Sequence, residues 1–253
     1  FHSRELLESL KDRPGGLPLV RLGIEAGLCR SAACAVASKL ASSGARLRIK
    51  EDGPENLLGE LDSHALDLVL CASAPAREGK AARAAEVGRL PVSFYAAPAL
   101  LGRVSWPGCL ARFPLLLPPA SDPLRGDLDR FLSRCGASPG SILEIADEEL
   151  LRRMVLGGAG IGPVDALCAR RSEERGKLRR LGGATGATRV LWLVAEKGRW
   201  LDPAAQSLLE KFHLGPGGAS ERTLRKAFRE IPPRELWPSG KQIVQSLISP
   251  RSR

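Results

Sequence analysis

The sequence predicts an α/β protein built from two similar units, and three observations lead to this class. Short apolar segments with strand character alternate with Ala- and Leu-rich amphipathic segments. One apolar run, at residues 66–72, is nearly continuous, as in strands covered on both faces of a parallel sheet. The same order of strand and helix patterns starts again near residue 113. Because 43% of the 253 residues are hydrophobic, the composition is that of a folded chain with a sizeable core.

The elements of the first unit each rest on a local pattern. Val20, Leu22 and Ile24 alternate with Arg21 and Gly23, which predicts a strand over 17–26. Strands that alternate with helices in this way are joined by crossovers and form a parallel sheet. The further predicted elements are a helix over 29–42, a strand over 46–51, a helix over 54–63, a strand over 66–72, a connecting loop or short helix over 74–89, and a strand within 90–101.

The second unit repeats the pattern and is followed by one more strand and helix. Ser121 and Asp122 are typical helix N-caps, as is Asp147. The glycine run at 157–162 follows a helix pattern and precedes a strand, so it predicts a tight turn rather than a dinucleotide-binding loop. The predicted strands lie over 113–117, over 141–145, at the start of 161–168, and over 189–196. The predicted helices lie over 122–134, 148–156 and 203–212, and residues 169–187 are predicted to form a basic loop.

The charge of +10 is concentrated in two segments. Residues 150–190 carry nine basic against three acidic residues, and residues 221–253 carry eight against three, whereas the rest carries 21 against 22. This pattern fits either a solvated basic loop and tail or a surface that faces anions or nucleic acid. Only Phe228 and Trp237 accompany the basic tail residues, so base stacking on single strands is weakly indicated.

No catalytic, metal or cofactor site is predicted. The three histidines fall at expected surface positions, and no nucleophile motif or carboxylate pair stands out, so an enzyme is not expected. No Cys-x-x-Cys pair occurs, and we expect the cysteines to be reduced, small hydrophobic residues in the cytoplasm. At the start of a helix, Cys29 could instead be a reactive thiol. The six cysteines are Cys29, Cys34, Cys71, Cys109, Cys135 and Cys168.

Two α/β units suggest a ligand cleft between them. In open α/β sheets, ligands bind beyond the carboxyl ends of strands, where helix N-termini suit a small anion. An ordinary helix cap is the alternative at each such position. No run approaches the roughly 20 apolar residues of a spanning helix, so no membrane partner is expected. The predicted ligand-binding residues are Cys29, Arg30, Ser31, Ser73, Ala120, Ser121, Ala146, Asp147, Gly162 and Pro163.

Four segments in order, PLVRLGI, LDLVLCAS, FPLLLPPASDPLRGDLDRFLSRCG and LEIADEELLRRMVLGGAGIGPV, resemble the effector-binding domain of LysR-type transcriptional regulators. The resemblance covers about residues 5–213. The segments VSFYAAPAL and KEDGPENLLGELDSHALDLVL are particularly similar to the NhaR-like branch, the sodium/proton-antiporter activators.

The resemblance implies a two-lobed fold like type 2 periplasmic binding proteins, with mixed, mostly parallel sheets. Lobe I would be residues 17–96 plus 188–213, lobe II residues 97–187, residues 1–16 the end of a linker helix, and residues 214–253 a basic tail. It also implies a small-molecule or ion effector between the lobes. The chain would form a homodimer or tetramer, with residues 29–50 facing residues 121–146 of a partner copy.

The family's DNA-binding part is a winged helix-turn-helix, which this chain, with Phe1 first and Met154 as its single methionine, is expected to lack. Promoter DNA would be bound only through that missing domain, in the cytoplasm. One departure concerns the effector: Asp147 stands near a position where many members have a hydroxyl, which would disfavour an anion or suit a cation or amine. Two alternatives are a stand-alone solute-binding protein of the same fold and, less favoured, a small α/β enzyme.

Overall fold

The fold was analysed in a computed structural model that describes residues 18–72 and 82–214. Ser73, the expected end of the linker helix and the basic tail lie outside the described residues. None of the described helices is long and apolar enough to cross a membrane.

Parallel pairing organises the N-terminal part of the chain. The alternating segment around Leu22 forms β1 (Leu19–Glu25), which pairs in parallel with β2 (Arg46–Asp52) and with β3 (Leu68–Cys71). The crossovers are α1 (Arg30–Ala41) and α2 (Pro54–Asp62). All four residues of β3 are buried, as the continuous apolar run predicts.

Two long antiparallel strands form the centre of the main sheet. β4 (Ala82–Ala96) pairs with β9 (Thr188–Glu196), and β9 also pairs with β3. β7 (Gly162–Asp165) and β8 (Arg179–Leu181) both pair with the end of β4. The resulting seven-stranded order is β2-β1-β3-β9-β4-β7, with β8 on β4. The expected α/β class with a mixed sheet is confirmed, and three of the seven pairings within the described ranges are parallel.

A smaller two-stranded sheet lies beside the end of β4. Its strands β5 (Leu115–Leu117) and β6 (Ile142–Glu144) are parallel, and Leu115 also bridges to Ile161 before β7. The remaining helices are α3 (Pro98–Leu101), α4 (Arg125–Arg134), α5 (Glu148–Leu156), α6 (Ala166–Glu174) and α7 (Pro203–Lys211).

The core is made almost entirely from aliphatic side chains. The largest cluster joins α1, α7 and the main sheet, and it extends to α5 and α6. A second cluster surrounds the stacked rings of Phe94, Trp106 and Phe131. Each fully buried leucine, such as Leu22 or Leu70, contributes about 1.5–3 kcal/mol of hydrophobic free energy. The two clusters therefore hold the sheets and their loops in fixed relative positions.

The glycine turn predicted between a helix and a strand is confirmed, since α5 ends at Leu156 and β7 begins at Gly162. Gly160 lies so close to β5 that an added Cβ would be 2.5 Å from the carbonyl oxygen of Pro114. The N–H of the next residue, Ile161, donates to that same oxygen at 2.9 Å. The close approach of two backbones is thus what requires glycine here.

Two expected connections were wrong. Within the segment expected as a loop or short helix, residues 82–89 belong to β4, because the long pairing with β9 overrides the helix preference of the alanines. The expected basic loop at 169–187 contains most of α6 and all of β8. Asp165 ends β7 and caps α6, so the chain returns to a helix where a longer strand was expected.

The expectation that all cysteines are reduced was also wrong for one pair. Cys29 and Cys168, which are 139 residues apart in sequence, form a disulfide with a Cα–Cα distance of 6.6 Å. The bond joins the start of α1 to the first turn of α6. Cys34, Cys109 and Cys135 are free, and Cys71 is buried in β3 outside this disulfide.

Candidate functional site

A small pocket lies where β4, β7 and β9 meet the loops that precede α4 and α5. Its lining combines apolar side chains with three carboxyl groups and one guanidinium. We call it the acidic pocket. Its lining residues are Val92, Pro118, Asp122, Leu124, Ile145, Ala146, Glu148, Leu151, Pro163, Asp165 and Arg189.

Arg189 is the central charged residue of the acidic pocket. Its side chain is 10% exposed, Nη1 donates to Asp122 Oδ2 at 3.3 Å, and Nη2 lies 3.5 Å from Glu148 Oε2. Burial lowers the pKa of Arg189, but the charges of Glu148 and Asp122 outweigh this and raise it. The guanidinium is therefore a fixed positive charge that holds two elements, α5 and the loop before α4, against β9.

The carboxyl groups outnumber this positive charge. Burial, together with the charges of Asp165 and Asp122, raises the pKa of Glu148 to about 8, although Arg189 opposes the change. Burial also raises the pKa of Asp165, which is 1% exposed. Both shifts have the same largest cause, since an ionised carboxyl loses its hydration on burial. Only Glu148 is raised further by neighbouring negative charges, whereas hydrogen bonds and Arg189 oppose the shift of Asp165. A positive charge entering the pocket would relieve this.

Asp165 has a second, structural role. As the N-cap of α6 it accepts a hydrogen bond from the N–H of Cys168 at 2.9 Å through Oδ1. Its other oxygen, Oδ2, is buried and accepts from no N–H group among the described residues, and the Asp165 carboxyl shares a hydrogen bond with the carboxyl of Glu148. Asp165 thus joins the acidic pocket to the first turn of α6, where the disulfide lies.

The residues predicted from the second unit fall in or beside the acidic pocket. Ala146 and Pro163 line it. Ala120 and Ser121 are exposed on the loop that also carries Asp122. Asp147 is exposed beside Glu148 and, as predicted, caps α5 by accepting from Leu150 N–H at 2.8 Å.

The residues predicted from the first unit do not line the pocket. Cys29 is in the disulfide, and Arg30 is exposed and forms a two-bond ion pair with Glu51. Ser31 is half-buried in α1. Gly162, which was predicted from the second unit, does not line the pocket either, because it packs against α5 with no room for a Cβ. The corner before α1 nevertheless comes close, since a Cβ on Gly27 would lie 3.5 Å from Asp147 Cα.

Sequence reasoning missed the four charged residues of the acidic pocket, Asp122, Glu148, Asp165 and Arg189. For two of them, the sequence context could have indicated burial. Arg189 begins an otherwise apolar strand, and Asp165 interrupts an apolar run. Since charged side chains are rarely buried unless they are paired, each predicts a buried partner of opposite charge. Nothing in the sequence spacing identifies which partner.

The fold and this pocket define a class of protein, an α/β domain with a small pocket where two sheets meet. The family is then shown by sequence, because residues 19–213 match the family model described as LysR substrate binding domain. The chain belongs to this family, and it is therefore a ligand-sensing regulatory domain of the LysR-type transcriptional regulators. A search of curated protein sequences finds no significant match.

Solved structures agree with this fold. The regulatory domain of HypT from Salmonella typhimurium in its apo form superposes with a TM-score of 0.60 at 14% identity, over 83% of this chain and 95% of that one. The effector domain of AmpR from Pseudomonas aeruginosa gives 0.59 at 15% identity, over 85% and 97%. Vibrio fischeri DarR in complex with DNA gives 0.63 at 14% identity, over 83% and 73%.

Proposed function

We propose that this domain senses a small molecule with a positively charged amino group, which binds in the acidic pocket. The observation that supports this is the excess of carboxyl groups, three against the single guanidinium of Arg189, so that ionisation of Glu148 and Asp165 lacks sufficient positive charge. An ammonium group beside Glu148 would favour its ionised form and donate hydrogen bonds to it. A carboxylate ligand would meet a guanidinium already engaged by Asp122 and Glu148.

Glu148 is the residue best placed to meet the ligand. Its side chain is 22% exposed, which is more than Asp122 or Arg189 at 15% and 10%, so it can be reached from solvent. Glu148 is the first residue of α5, directly after the N-cap Asp147, and the exposed Asp147 adds negative charge beside it. Both features disfavour an anionic effector.

Thermal unfolding with matched pairs of ligands tests this proposal. We expect alkylamines to raise Tm and the carboxylates of the same carbon skeleton to leave it unchanged. At a hundredfold excess over Kd the stabilisation is about 2.7 kcal/mol, which is on the order of 5–10 °C for a domain of this size. Glu148→Gln should abolish the shift, whereas Glu144→Gln, on exposed β6 outside the pocket, should keep it. Stabilisation by carboxylates alone, or an unchanged shift in Glu148→Gln, would refute the cationic effector.

We further propose a homodimer in which residues 29–50 of one copy face residues 121–146 of the other. Exposed large apolar side chains on both segments support it, since Ile49 on β2 is 48% exposed, and Ile142 and Leu143 on β6 are 50% and 43% exposed. β2 is an edge strand of the main sheet and β6 belongs to the two-stranded sheet. Unpaired apolar edges of this kind are usually covered in the working protein.

Sedimentation or light scattering of charged variants tests the dimer. Ile142→Lys and Ile49→Lys should each shift the protein from dimer to monomer, because each places a charge in the apolar contact. Leu150→Lys is the matched control, since Leu150 is 51% exposed on α5 and lies outside both segments. The proposed interface is wrong if the Leu150 variant dissociates to the same extent, or if neither isoleucine variant does.

Our proposal also covers the location of the chain, the absence of catalysis, the contact with DNA, the division into lobes and the branch of the family. We propose that the chain acts in the cytoplasm, and that it senses its ligand without catalysing a reaction. DNA would be contacted through a winged helix-turn-helix rather than through residues 19–213. The division into lobes at residues 96–97 and 187–188 is likewise proposed, as is membership in the NhaR-like branch, which residues 92–100 support.

A further inference from the structure

We propose that, once the Cys29–Cys168 bond is reduced, the two cysteines and Asp165 bind one thiophilic divalent cation of the zinc class. The donor atoms of these three residues, two sulfurs and a carboxylate oxygen, all lie within 4.8 Å of one another. All three residues are buried, with exposures of 1% for Cys29, 9% for Cys168 and 1% for Asp165. This site shares Asp165 with the acidic pocket, but binding of the cation does not require an effector at Glu148.

The surroundings of the Asp165 carboxyl also support the site. Oδ1 accepts from the N–H of Cys168, whereas no N–H group donates to the buried Oδ2. The only side chain that shares a hydrogen bond with Asp165 among the described residues is the carboxyl of Glu148, and two buried carboxyl groups in contact disfavour ionisation. The guanidinium of Arg189 is engaged by Asp122 and Glu148. A cation between Oδ2 and the two sulfurs would stabilise the ionised form of Asp165.

The donor set selects the type of ion. Two thiolates with one carboxylate oxygen suit zinc and similar soft or borderline ions, and they do not suit calcium or magnesium, which prefer sites made of oxygen. Both sulfurs also lie at the N-terminal ends of helices, α1 and α6, whose dipoles favour negative charge. Three protein ligands leave the fourth tetrahedral position of zinc for water or another donor.

The sulfurs are bonded to each other in this structure, so binding follows a two-electron reduction. A thiolate of an external dithiol attacks one sulfur and forms a mixed disulfide, and the second external thiol then displaces it. The products are two protein thiols and the oxidised dithiol. The cation next displaces both thiol protons into solvent and binds the two thiolates. Since Asp165 also lines the acidic pocket, the ion would remove one negative charge from that pocket.

Cobalt(II) is a suitable spectroscopic probe because its absorption reports thiolate ligation and tetrahedral geometry. Reduced, desalted protein under an inert atmosphere is expected to take up one equivalent of Co²⁺ with sulfur-to-metal charge-transfer absorption. One equivalent of Zn²⁺ should displace it, and Mg²⁺ should not. The oxidised protein should show no such band, and thiol counting before and after reduction records the state of the pair.

Variants identify the ligands. Cys29→Ser and Cys168→Ser should each lose the charge-transfer band, and Asp165→Asn should weaken Co²⁺ binding at least tenfold while keeping an oxygen to cap α6. Cys34→Ser, an exposed free cysteine on α1, is the matched control and should bind normally. Far-ultraviolet circular dichroism checks the fold of each variant. The proposal is overturned if reduced protein shows no charge-transfer band, if either Ser variant keeps it, or if Asp165→Asn binds unchanged. Because amines are not involved, these outcomes are distinct from failure of the cationic effector.

Discussion

Arg189→Met is expected to lower the free energy of unfolding by about 3–5 kcal/mol at neutral pH. The substitution removes the guanidinium that lies between Asp122 and Glu148 and faces Asp165, and it leaves these carboxyl groups buried without a counter-charge. Methionine keeps most of the aliphatic volume, so the loss reports charge rather than a cavity. Urea unfolding followed by circular dichroism measures it.

The pH dependence of this loss separates charge from packing. Burial already raises the pKa values of Glu148 and Asp165, and Arg189 opposes the rise. Without Arg189 these two pKa values rise further, so the folded variant binds more protons than the unfolded chain. Its stability is then favoured at low pH and is lost as pH rises through the raised values. The deficit should therefore be largest at neutral pH and small below about pH 4, where the carboxyls are protonated in both states.

A control for Arg189→Met is available on the surface. Arg30 also makes an ion pair, with Glu51, but its side chain is 53% exposed. Arg30→Met should cost less than about 1 kcal/mol because solvent already screens the pair. An equal loss in the two variants, or a deficit that does not change with pH, would show that the acidic pocket does not depend on its guanidinium.

Elements with strong local patterns were predictable from the sequence, and elements defined by distant pairing were not. The helix at 148–156 was predicted at its observed bounds, because a capping aspartate and a glycine run mark its two ends. The first half of β4 was missed because its alanines favour a helix, and only the pairing with β9 makes it a strand. α6 was missed for two reasons. Its many charged residues are typical of a loop, and its N-cap, Asp165, was assigned to the preceding strand.

The candidate site also contains residues that could be predicted from the sequence and residues that could not. The rule that ligands bind beyond strand ends led to Ala146 and Pro163, which do line the acidic pocket. It could not indicate Arg189, which lies near the start of a strand and reaches the pocket only because β9 runs antiparallel to β3 and β4. The disulfide partner of Cys29 could not be predicted either, since disulfide connectivity cannot be deduced from sequence spacing alone. The ion pairs of Arg189 and the disulfide join residues that are more than 40 positions apart in sequence.

Reducing the Cys29–Cys168 bond in the presence of a metal chelator is expected to lower the free energy of unfolding by about 4–5 kcal/mol. The bond closes a loop of 139 residues, and the loss of chain entropy in an unfolded state with so long a loop is large. The folded state should change little, because both sulfurs stay buried at the same contact between α1 and α6. Urea unfolding of oxidised and reduced protein measures the difference, and the oxidised form should also have the smaller m value, since its cross-linked unfolded chain exposes less surface.

Serine variants show whether the effect belongs to this bond. Cys168→Ser should have the same free energy of unfolding as the reduced protein, and reductant should not lower it further. In Cys34→Ser, reductant should lower the free energy of unfolding as much as in the unsubstituted chain. If reductant lowers the stability of Cys168→Ser as well, the effect arises elsewhere. If all six thiols are free before reductant is added, the two cysteines are close but not bonded under those conditions.

Addition of Zn²⁺ to reduced protein without chelator should restore part of the stability lost on reduction, because an ion held by Cys29, Asp165 and Cys168 joins the same two helices and binds only the folded chain.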